Sequence, residues 1–516
     1  MNGAKILVET LLKNGIDTCF ANPGTSEMHF VAALDQVPGM KCVLGLQENV
    51  VTGMADGYFR IAGKPACTLL HCGPGLANGL ANIHNARRAR SGMLNIVGDQ
   101  ATYHRPFDAP LTADTESLAR AVSAWTRTCT DVARLGEDAA IAAQVATAEP
   151  GQIATLILPS DVSWNEGGKI GPVLEAVPAS AVVPAHIEKL AQLLESGEPT
   201  LLLLSGTALT DAGQDLLRPL IDRYGVSVMA EYPIGRIARG GSRIAIARLP
   251  YGIDDAVAVL GKFRHLVLVN ANDPVGFFAY PGKPSRMAPD SVEVFHFSRP
   301  HQDCIGALKA LLGRLGLQAR RADGIRQKPE AGAYRGRPTP EALATCIAAL
   351  MPEDAIVSDE SVSFGRGFYK NTFDAAPHDW LHLAGGAIGD GLPVATGAAI
   401  AAGRRRRVIS VQADGSAMYS IQSLWTQARE RLPCTTILLN NRKYQILLGE
   451  YAGVGAKPGP TAMSMLDLGN PGIDFVKLAQ GMGVEAARAT TIEQCEDLMR
   501  ASFAQDGPFL IELMID

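Results

Sequence analysis

Two short polar segments follow predicted strands, and their side chains are suited to binding a metal ion and a phosphate group. Asp414–Ser416 follows the apolar run Val408–Val411, and Asn440-Asn441 follows Thr435–Leu439, one strand–helix–strand crossover later. Because the carboxyl ends of neighbouring parallel strands meet at one edge of a sheet, we expect a carboxylate and an amide oxygen to come together there. Such oxygen ligands suit Mg²⁺ or Ca²⁺, and backbone N–H groups at a helix start favour phosphate. The alternative is a pair of polar turns, since both sequences are common in turns.

A glycine-rich segment and two titratable side chains stand out in the first third of the chain. Gly73–Gly79 has the spacing G-x-G-x-x-x-G, which departs from the dinucleotide-binding pattern and by itself indicates either a close ligand or a structural turn. Glu48 begins a helical stretch, where a glutamate also stabilises the helix dipole. His71 ends an apolar run, where a histidine is usually just a hydrogen-bonded polar group. Arg87–Arg90 is typical of a solvated helix end.

These residues can come together only if the strands that precede them end at a common edge of a sheet. The sequence has the alternation of strand and helix signals that produces such edges. Short apolar runs alternate with longer amphipathic stretches along the whole sequence. This pattern predicts βαβ units around buried parallel sheets, and therefore an α/β fold of three doubly wound domains. We place the domains at residues 1–170, 183–312 and 338–516, with an Arg-, Gly- and Pro-rich linker over 313–338.

The composition excludes several classes of protein. With 516 residues, 47% hydrophobic and 19% charged, the chain is typical of globular proteins. A net charge of −5 argues against a nucleic-acid binder, and no apolar run is long enough for a transmembrane helix. The first residues lack the features of a signal peptide, and the nine cysteines form no C-x-x-C pair. We therefore expect a cytoplasmic protein with reduced thiols and neither a nucleic-acid nor a membrane partner.

Together these segments resemble the thiamine diphosphate (ThDP) motif of the acetolactate synthase and benzoylformate decarboxylase superfamily. The D-G-S to N-N spacing looks like that motif, although Ala413 replaces the usual first glycine of G-D-G. Further landmarks of the superfamily are Asn22-Pro23-Gly24, Glu48, Ala55–Arg60, Gly73–Gly75 and Gly385–Gly389. The resemblance covers the whole chain and is closest to acetolactate synthase large subunit-like proteins. It implies a pyrimidine-binding, a middle and a diphosphate-binding domain, with each cofactor held between two chains of a homodimer or homotetramer.

The resemblance also implies which residues hold the cofactors. The side chains of Asp414 and Asn441, with the backbone carbonyl of Lys443, would bind Mg²⁺. The Gly386 carbonyl would accept from the cofactor's amino group, and Ile388 would be the apolar wedge that keeps the cofactor bent. Further ThDP contacts are implied at Asn22, Gly73, Ser363, Gly415, Ser416, Tyr419 and Tyr444. FAD, which many acetolactate synthases carry, is predicted to be absent because the middle domain shows no feature for it.

Three residues are implied to act on cofactor and substrate. Glu48 would hydrogen-bond the aminopyrimidine ring and activate it by acid–base chemistry. His71 would move protons near the substrate, and Thr25 would contact the substrate carboxylate. The second histidine of the decarboxylases has no clear counterpart, because the corresponding loop, residues 275–280, reads Val-Gly-Phe-Phe-Ala-Tyr. An apolar loop there would exclude water and favour a carbonyl acceptor over a proton.

The sequence therefore predicts decarboxylation of a 2-oxo acid, pyruvate by default, followed by carboligation of the remaining fragment to a second carbonyl. One alternative is a non-oxidative 2-oxo acid decarboxylase that releases an aldehyde, which Thr25, Glu48 and His71 would also serve. A second alternative is a catalytically silent paralogue with a binding or regulatory role. That alternative would be marked by loss of Glu48, Asp414 or Asn441, and all three are present.

Overall fold

Three mainly parallel β-sheets with surrounding helices make up the computed structural model, which describes residues 1–321, 324 and 326–515. The α/β class expected from the alternation of apolar runs is confirmed. No helix in the described ranges combines the length and apolar character that a membrane span requires. Residues 322, 323 and 325 of the predicted linker, and residue 516 of the predicted third domain, lie outside the described residues.

Strands and helices are numbered here in chain order. The strands are β1 Thr18–Ala21, β2 Lys41–Leu44, β3 Ala66–Leu70, β4 Met93–Asp99, β5 Trp125–Thr128, β6 Ile153–Pro159, β7 Thr200–Leu204, β8 Ser227–Ala230, β9 Arg236–Arg239, β10 Ala247–Arg248, β11 His265–Val269, β12 Glu293–Ser298, β13 Ala355–Glu360, β14 His378–His382, β15 Val408–Ala413, β16 Cys434–Asn440, β17 Glu485–Ala489 and β18 Phe509–Met514.

The helices vary from single turns to five turns. They are α1 Gly3–Lys13, α2 Met28–Gln36, α3 Glu48–Ala62, α4 Cys72–Ala89, α5 Thr115–Arg120, α6 Val132–Thr147, α7 Ser160–Trp164, α8 Pro184–Glu195, α9 Asp211–Tyr224, α10 Ile253–Leu260, α11 Cys304–Arg314, α12 Pro340–Leu350, α13 Phe368–Asn371, α14 Gly391–Ala401, α15 Asp414–Ala417, α16 Ser423–Arg429, α17 Gln445–Gly453, α18 Pro460–Ser464, α19 Phe475–Gly481 and α20 Ile492–Ala504.

The first sheet runs β2-β1-β3-β4-β6-β5 and its pairings are all parallel. Its central strands are fully buried, as expected for strands with helices on both faces. The chain leaves β1 towards β2 on one side and then crosses to β3 on the other. Open α/β sheets bind ligands beside such a reversal of strand order, at the carboxyl ends of the strands.

The second sheet runs β10-β8-β7-β11-β12, and the third runs β17-β18-β16-β15-β13-β14-β9. In the second sheet the first strand along the chain, β7, lies inside the sheet, and in the third sheet so does the first of the parallel strands, β13. Each sheet therefore has its own reversal point, β7/β11 and β13/β15. Strand β9 was not predicted: it pairs antiparallel with β14, with Ile237 opposite Trp380. The predicted domain ranges stay predictions, and the region 183–312 contributes this edge strand to the third sheet.

Helices α3 and α14 join the first and third sheets. Buried side chains of both helices belong to one apolar cluster that spans strands of both sheets. A buried ion pair completes the contact, because Arg60 of α3 pairs with Asp56 on its own helix and with Asp390, which precedes α14. The Ala55–Arg60 landmark therefore holds the two sheets together, at the base of the helix that begins with Glu48.

Candidate active site

The predicted catalytic residues lie at the carboxyl edge of the first sheet. Thr25 follows β1, Glu48 follows β2 and His71 follows β3, and these three strands are neighbours in the order β2-β1-β3. The edge arises because each apolar strand is stopped by a turn sequence and then by a helix start. Of the three side chains, that of Thr25 is exposed, whereas Glu48 and His71 are half-buried.

Glu48 is the first residue of α3, and its carboxylate is oriented by α4. The Asn78 side chain donates to Glu48 Oε2 at 3.1 Å. The first turn of α4 comes close to the other oxygen, since a Cβ at Gly75 would lie 3.2 Å from Oε1. Asn78 holds one carboxylate oxygen, and the other faces the glycine turn that was predicted to approach the cofactor.

His71 caps the start of α4 and contacts the loop after β1. Its Nδ1 lies 3.1 Å from Glu27 Oε2 and 3.1 Å from Ser26 Oγ. The Glu27 side chain is fully buried, whereas that of His71 is 23% exposed. The hydroxyl group beside His71 therefore belongs to Ser26, and the Thr25 side chain is outside this cluster.

Two predicted cofactor contacts in the first domain have local structural roles. The Asn22 side chain donates to the Gly45 carbonyl at 3.1 Å and so ties the end of β1 to the end of β2. Gly73 packs against the loop before α5, where a Cβ would lie 2.5 Å from the Ala113 Cβ. Both positions belong to the same edge as Glu48, and their contacts with ThDP stay predictions.

The predicted metal ligands meet at the carboxyl edge of the third sheet. Asp414 begins α15 directly after β15, and its Oδ2 accepts from the backbone N–H groups of Asn441 at 3.1 Å and Arg442 at 2.7 Å. The Asn441 side-chain oxygen in turn accepts from the Lys443 N–H at 3.0 Å. The Asp414 carboxylate, the Asn441 amide oxygen and the Lys443 backbone thus lie together at the ends of the neighbouring strands β15 and β16. We call this group of residues the metal-site turn.

The donor set around Asp414 fits a divalent cation. Asp414 is 4% exposed, and burial raises the pKa of its carboxyl group, against the opposing effect of the backbone donors. Within residues 1–321, 324 and 326–515, no Lys or Arg nitrogen forms an ion pair with this carboxylate. A buried carboxylate without a cationic partner is costly, and Mg²⁺ would supply that partner with ligands of the type it prefers.

The predicted diphosphate contacts surround this turn. Gly415 and Ser416 are buried in α15, and the Tyr444 ring packs on Gly415. Tyr419 is 53% exposed and lies against Gly389. Ser363 is half-buried after β13, the strand that pairs with β15. Glycine N–H groups and hydroxyls thus line one reversal point, between β13 and β15.

The loop at residues 385–391 is held by a buried glutamate that sequence reasoning missed. Glu360 Oε1 accepts from the Gly389 N–H at 2.7 Å, and Oε2 accepts from the Gly391 N–H at 2.7 Å. Burial raises the pKa of Glu360, and these donors and Gln412 oppose that shift. The loop presents Gly386, with φ of +83°, and the half-buried Ile388. The sequence indicates this role only through an acidic residue, Glu360, at the end of a strand.

An aromatic wall from the middle region lies over this loop. The Phe277 ring packs on Gly386, where a Cβ would lie 2.4 Å from Phe277 Cζ. Phe277 also meets Phe278 edge-to-face and Tyr251 in a tilted arrangement, at ring-centroid distances of 5.0 and 5.6 Å. The Tyr280 hydroxyl donates to Glu450 of α17 at 2.5 Å. The 275–280 loop is thereby joined to the segment that follows the metal-site turn.

A cavity of about 550 Å³ opens beside the metal-site turn. Its lining combines that turn with the segment that contains α18, and the residues are Asn441, Arg442, Lys443, Leu448, Met463, Ser464, Leu466, Asp467, Gly469 and Asn470. Two cationic side chains and the Asn441 amide give this cavity donors for an anionic group, and Asp467 adds one negative charge to the lining.

The two predicted halves of the site are linked by asparagine side chains of α4 that donate to the backbone of the 385–391 loop. Asn82 donates to the Gly389 carbonyl at 3.2 Å, and Asn85 donates to the Ala387 carbonyl at 2.8 Å. In the described part of the chain, the Glu48 side chain accepts one hydrogen bond, from Asn78, and none from the third-sheet residues. The chain thus presents Glu48 and Asp414 in two separate groups.

Arg90 corrects the expectation of a solvated helix end at Arg87–Arg90. Its guanidinium donates to the Asn270 carbonyl at 2.7 Å and pairs with Glu231 at 3.3 Å. Asn270 follows β11 and Glu231 follows β8, so the guanidinium lies at the carboxyl edge of the second sheet. Burial lowers the pKa of Arg90 and raises that of Glu231, and each charge partly offsets the shift of the other.

Comparison with known proteins agrees with this geometry. Family profiles described as the N-terminal and C-terminal TPP binding domains of thiamine pyrophosphate enzymes match residues 1–119 and 368–513. A Mycobacterium tuberculosis protein named "Putative acetolactate synthase large subunit IlvX" is 47% identical, with 100% of this chain and 99% of that protein covered. Benzoylformate decarboxylase of Pseudomonas aeruginosa is 30% identical, with coverages of 98% and 97%.

A solved structure extends the likeness to the complete fold. The ThDP-dependent 4-hydroxybenzoylformate decarboxylase of Rhodococcus jostii RHA1 has a TM-score of 0.86 at 25% identity, and the superposition covers 100% of this chain and 99% of that one. The sequence, the fold and the arrangement of both strand edges lead to one conclusion: this chain belongs to the family of thiamine pyrophosphate (ThDP)-dependent enzymes, whose members include acetolactate synthases and 2-oxo acid decarboxylases.

Proposed function

We propose that this enzyme uses ThDP and Mg²⁺ to decarboxylate a 2-oxo acid, with pyruvate as the default donor, and joins the remaining fragment to a second carbonyl compound. When bound, ThDP supplies the electron sink that receives the electrons of the broken carbon–carbon bond. The observation that carries the carboligase assignment is the Phe277 ring on Gly386. It provides an apolar surface at the place where a decarboxylase would be expected to present a proton donor.

The metal-site turn would hold the charged end of the cofactor. Asp414 and Asn441 would bind Mg²⁺ through their side chains, and Lys443 through its carbonyl oxygen. The N–H groups of Gly415 and Ser416 would donate to phosphate oxygens, because they stand at the start of α15. The arginine and lysine of the neighbouring cavity add positive charge on the same side.

Glu48 would exchange a proton with the aminopyrimidine ring. Asn78 occupies Oε2, which leaves Oε1 as the oxygen available for that exchange. His71, with Ser26 beside it, would serve the substrate carboxylate and later proton transfers, and Thr25 is exposed at the same edge. Proton transfer by positioned side chains of this kind contributes about 10²–10⁴-fold to enzymatic rates.

We also propose that two chains complete each active site, in a homodimer or homotetramer. Support comes from the hydrogen bonds of Glu48, which stay within the first domain of its own chain. Support also comes from apolar side chains that are exposed around the third-sheet edge, namely Phe277, Phe278, Met418, Tyr419, Leu447, Met463 and Met465. Exposed apolar patches of this kind mark interaction sites.

FAD does not fit the middle region, and we propose that the enzyme lacks it. A dinucleotide would place its phosphates at the β7/β11 reversal point, at the carboxyl ends of the strands. Arg90 contacts Ser205, Glu231 and Asn270 there, and these residues follow β7, β8 and β11. The Glu231 carboxylate would also repel a phosphate group.

The nine cysteines support a reducing compartment. They are unpaired in the described chain, and eight are buried. Burial raises the pKa of Cys129, Cys304 and Cys434 to about 12, which keeps these thiols protonated and unreactive. We therefore propose a cytoplasmic enzyme.

Product analysis tests the proposal directly. Purified protein would be supplied with ThDP, Mg²⁺ and pyruvate, and CO₂, acetaldehyde, acetolactate and acetoin would be quantified. We expect CO₂ with coupled product, and we expect activity to be lost after chelation of the metal. CO₂ with an equal amount of aldehyde and no coupled product would refute carboligation.

The second candidate function is aldehyde release by a 2-oxo acid decarboxylase. His71 with the adjacent Ser26 hydroxyl favours it, because these residues can transfer protons at the substrate. Benzoylformate in the same assay separates the two candidates: benzaldehyde as the sole organic product would favour the decarboxylase.

A further inference from the structure

We propose that Glu27 is a positioning residue that keeps the proton of neutral His71 on Nδ1 and leaves Nε2 free to exchange a proton with the substrate. This inference rests on the proposed function, because it assigns the working nitrogen of a histidine in that site. The Glu27 side chain is fully buried against the imidazole ring of His71, which is 23% exposed.

The direction of the hydrogen bond follows from the donors around Glu27. Its Oε2 accepts from the Gly24 N–H at 2.7 Å, and the Ser26 hydroxyl donates to Oε1. His71 Nδ1 lies 3.2 Å from Oε1 and 3.1 Å from Oε2. A carboxylate that receives several donors is an acceptor only, so Nδ1 must carry the hydrogen.

The pocket for this pair is made by two glycines. A Cβ at Gly98, in β4, would lie 1.7 Å from Glu27 Oε1. A Cβ at Gly24 would lie 2.2 Å from the His71 Cγ. The carboxylate is therefore enclosed on one side by β4 and on the other by the imidazole ring, and neither side leaves space for another side chain.

Among the described residues, the Nε2 edge of the imidazole is free. In residues 1–321, 324 and 326–515, Nε2 of His71 makes no hydrogen bond, whereas Nδ1 has three neighbouring oxygens. His71 precedes the first turn of α4. Gly75, in that turn, lies between His71 and Glu48. A histidine held by a carboxylate on one nitrogen and free on the other has the arrangement of a general acid–base.

Other titratable groups near the ring are few. Cys72 Sγ lies 3.8 Å from Nδ1, and burial raises the pKa of this thiol to about 11. Asp99, at the end of β4, is paired with Arg105. Glu27 is therefore the charged group in direct contact with the ring, and it is the one that orients the imidazole.

A metal ion is the rival occupant of this cluster. Ligand atoms of Glu27, His71 and Cys72 all lie within 4.8 Å of one another. A metal on Nδ1 would replace the hydrogen that we assign to it. Metal analysis of the dialysed protein distinguishes the two: a stoichiometric metal that is lost in Cys72→Ser would overturn the inference.

The first test is the histidine tautomer in the wild-type enzyme. Protein with ¹⁵N-labelled histidine would be reconstituted with ThDP and Mg²⁺, and the His71 signals identified by their loss in His71→Gln. We expect the neutral ring to carry its hydrogen on Nδ1, and the Nε2–H tautomer would overturn the inference. This measurement decides the point even if no 2-oxo acid is turned over, which would refute only the proposed function.

The second test is the steady-state kinetics of Glu27→Gln. We expect kcat to fall about 10- to 100-fold with little change in KM, because the imidazole loses the carboxylate that orients it. Glu27→Asp should retain part of the activity. Glu137→Gln, which removes a carboxylate from an exposed ion pair with Arg134, is the matched control. A kcat of Glu27→Gln equal to that of the control would overturn the inference.

Discussion

Gly57 of α3 faces the Val394 carbonyl of α14 so closely that a Cβ at position 57 would lie 2.1 Å from that oxygen. The reverse contact is as close, because a Cβ at Gly397 would lie 1.9 Å from the Met54 carbonyl. These contacts set the distance between the helix that begins with Glu48 and the helix that follows the Gly385–Gly389 loop. The geometry of the candidate site therefore depends on residues in the middle of both helices.

Substitution of Gly57 by Ala should destabilise the enzyme. A methyl group cannot fit against a backbone oxygen, and overpacking of this kind costs about 1–3 kcal/mol. Differential scanning calorimetry should show a lower melting temperature. Gly313→Ala is the matched control, because Gly313 lies in α11 and a Cβ there would meet no atom within 4 Å. An equal response of both variants would contradict the packing role of Gly57.

Replacement of Glu48 by Gln should abolish turnover but preserve cofactor binding. The amide cannot exchange a proton with the aminopyrimidine, so we expect kcat to fall about 10²–10⁴-fold. Calorimetric titration with ThDP in the presence of Mg²⁺ should give an affinity close to that of the wild type. Asn78→Ala should have a smaller effect, since it frees Oε2 without removing the carboxylate. Unchanged turnover in Glu48→Gln would rule out our assignment.

Phe277→His should shift the product from coupled ketone towards aldehyde. The new imidazole would stand on Gly386, where it can donate a proton to the fragment that remains after CO₂ has left. The measurement is the ratio of aldehyde to coupled product from pyruvate. Val275→His, at a 57% exposed position of the same loop, is the control. If both variants retain the wild-type ratio, the Phe277 ring does not control the fate of the fragment.

Arg90→Ala should destabilise the contact between the first and middle regions. It leaves the Glu231 carboxylate, which is 13% exposed, without its cation. Breaking a fully buried pair costs about 3–5 kcal/mol, so we expect a smaller loss for this partly buried pair. The double variant Arg90→Ala/Glu231→Gln should recover part of the lost melting temperature.

The wild type should purify without flavin and should not bind added FAD. A yellow protein with a flavin spectrum would disprove our account of this edge.

Stability should fall in mild acid because of a buried histidine. Burial and the nearby Arg239 lower the pKa of His378 from 6.5 to about 3. The unfolded chain therefore binds a proton that the folded chain excludes between these values. Full stability is present above pH 6.5, and about 1.4 kcal/mol is lost per pH unit as the pH falls towards 3.

The variant His378→Asn tests this pH dependence. Its amide can replace the hydrogen bond that His378 Nδ1 donates to the Ala376 carbonyl at 2.7 Å, but it does not titrate. We expect a shallower decline of melting temperature between pH 6.5 and about 4 than in the wild type. Parallel curves for the two proteins would show that His378 does not contribute.

Much of the fold and half of the site could be predicted because their signals are local. Apolar runs stopped by turn residues located β3, β7, β11, β15 and β16, and parallel topology then required their carboxyl ends to share edges. Asp414 and Asn441 were predicted to meet for that reason, and the structure joins their turns by hydrogen bonds. His71 was predicted at the end of an apolar run and Glu48 at the start of a helix, and the structure adds that both lie with Thr25 at the ends of neighbouring strands.

The tertiary structure alone determined which side chains complete these edges. Glu27, Glu360 and Arg90 are ordinary charged residues in sequence, and each acquires its role from a partner far along the chain: His71, the loop ending at Gly391, and Glu231. Strand β9 likewise joins the third sheet from a distant region. Local propensity specifies where a strand or helix begins, but burial of a charge is decided by the groups that surround it in three dimensions, and sequence spacing does not contain those distances.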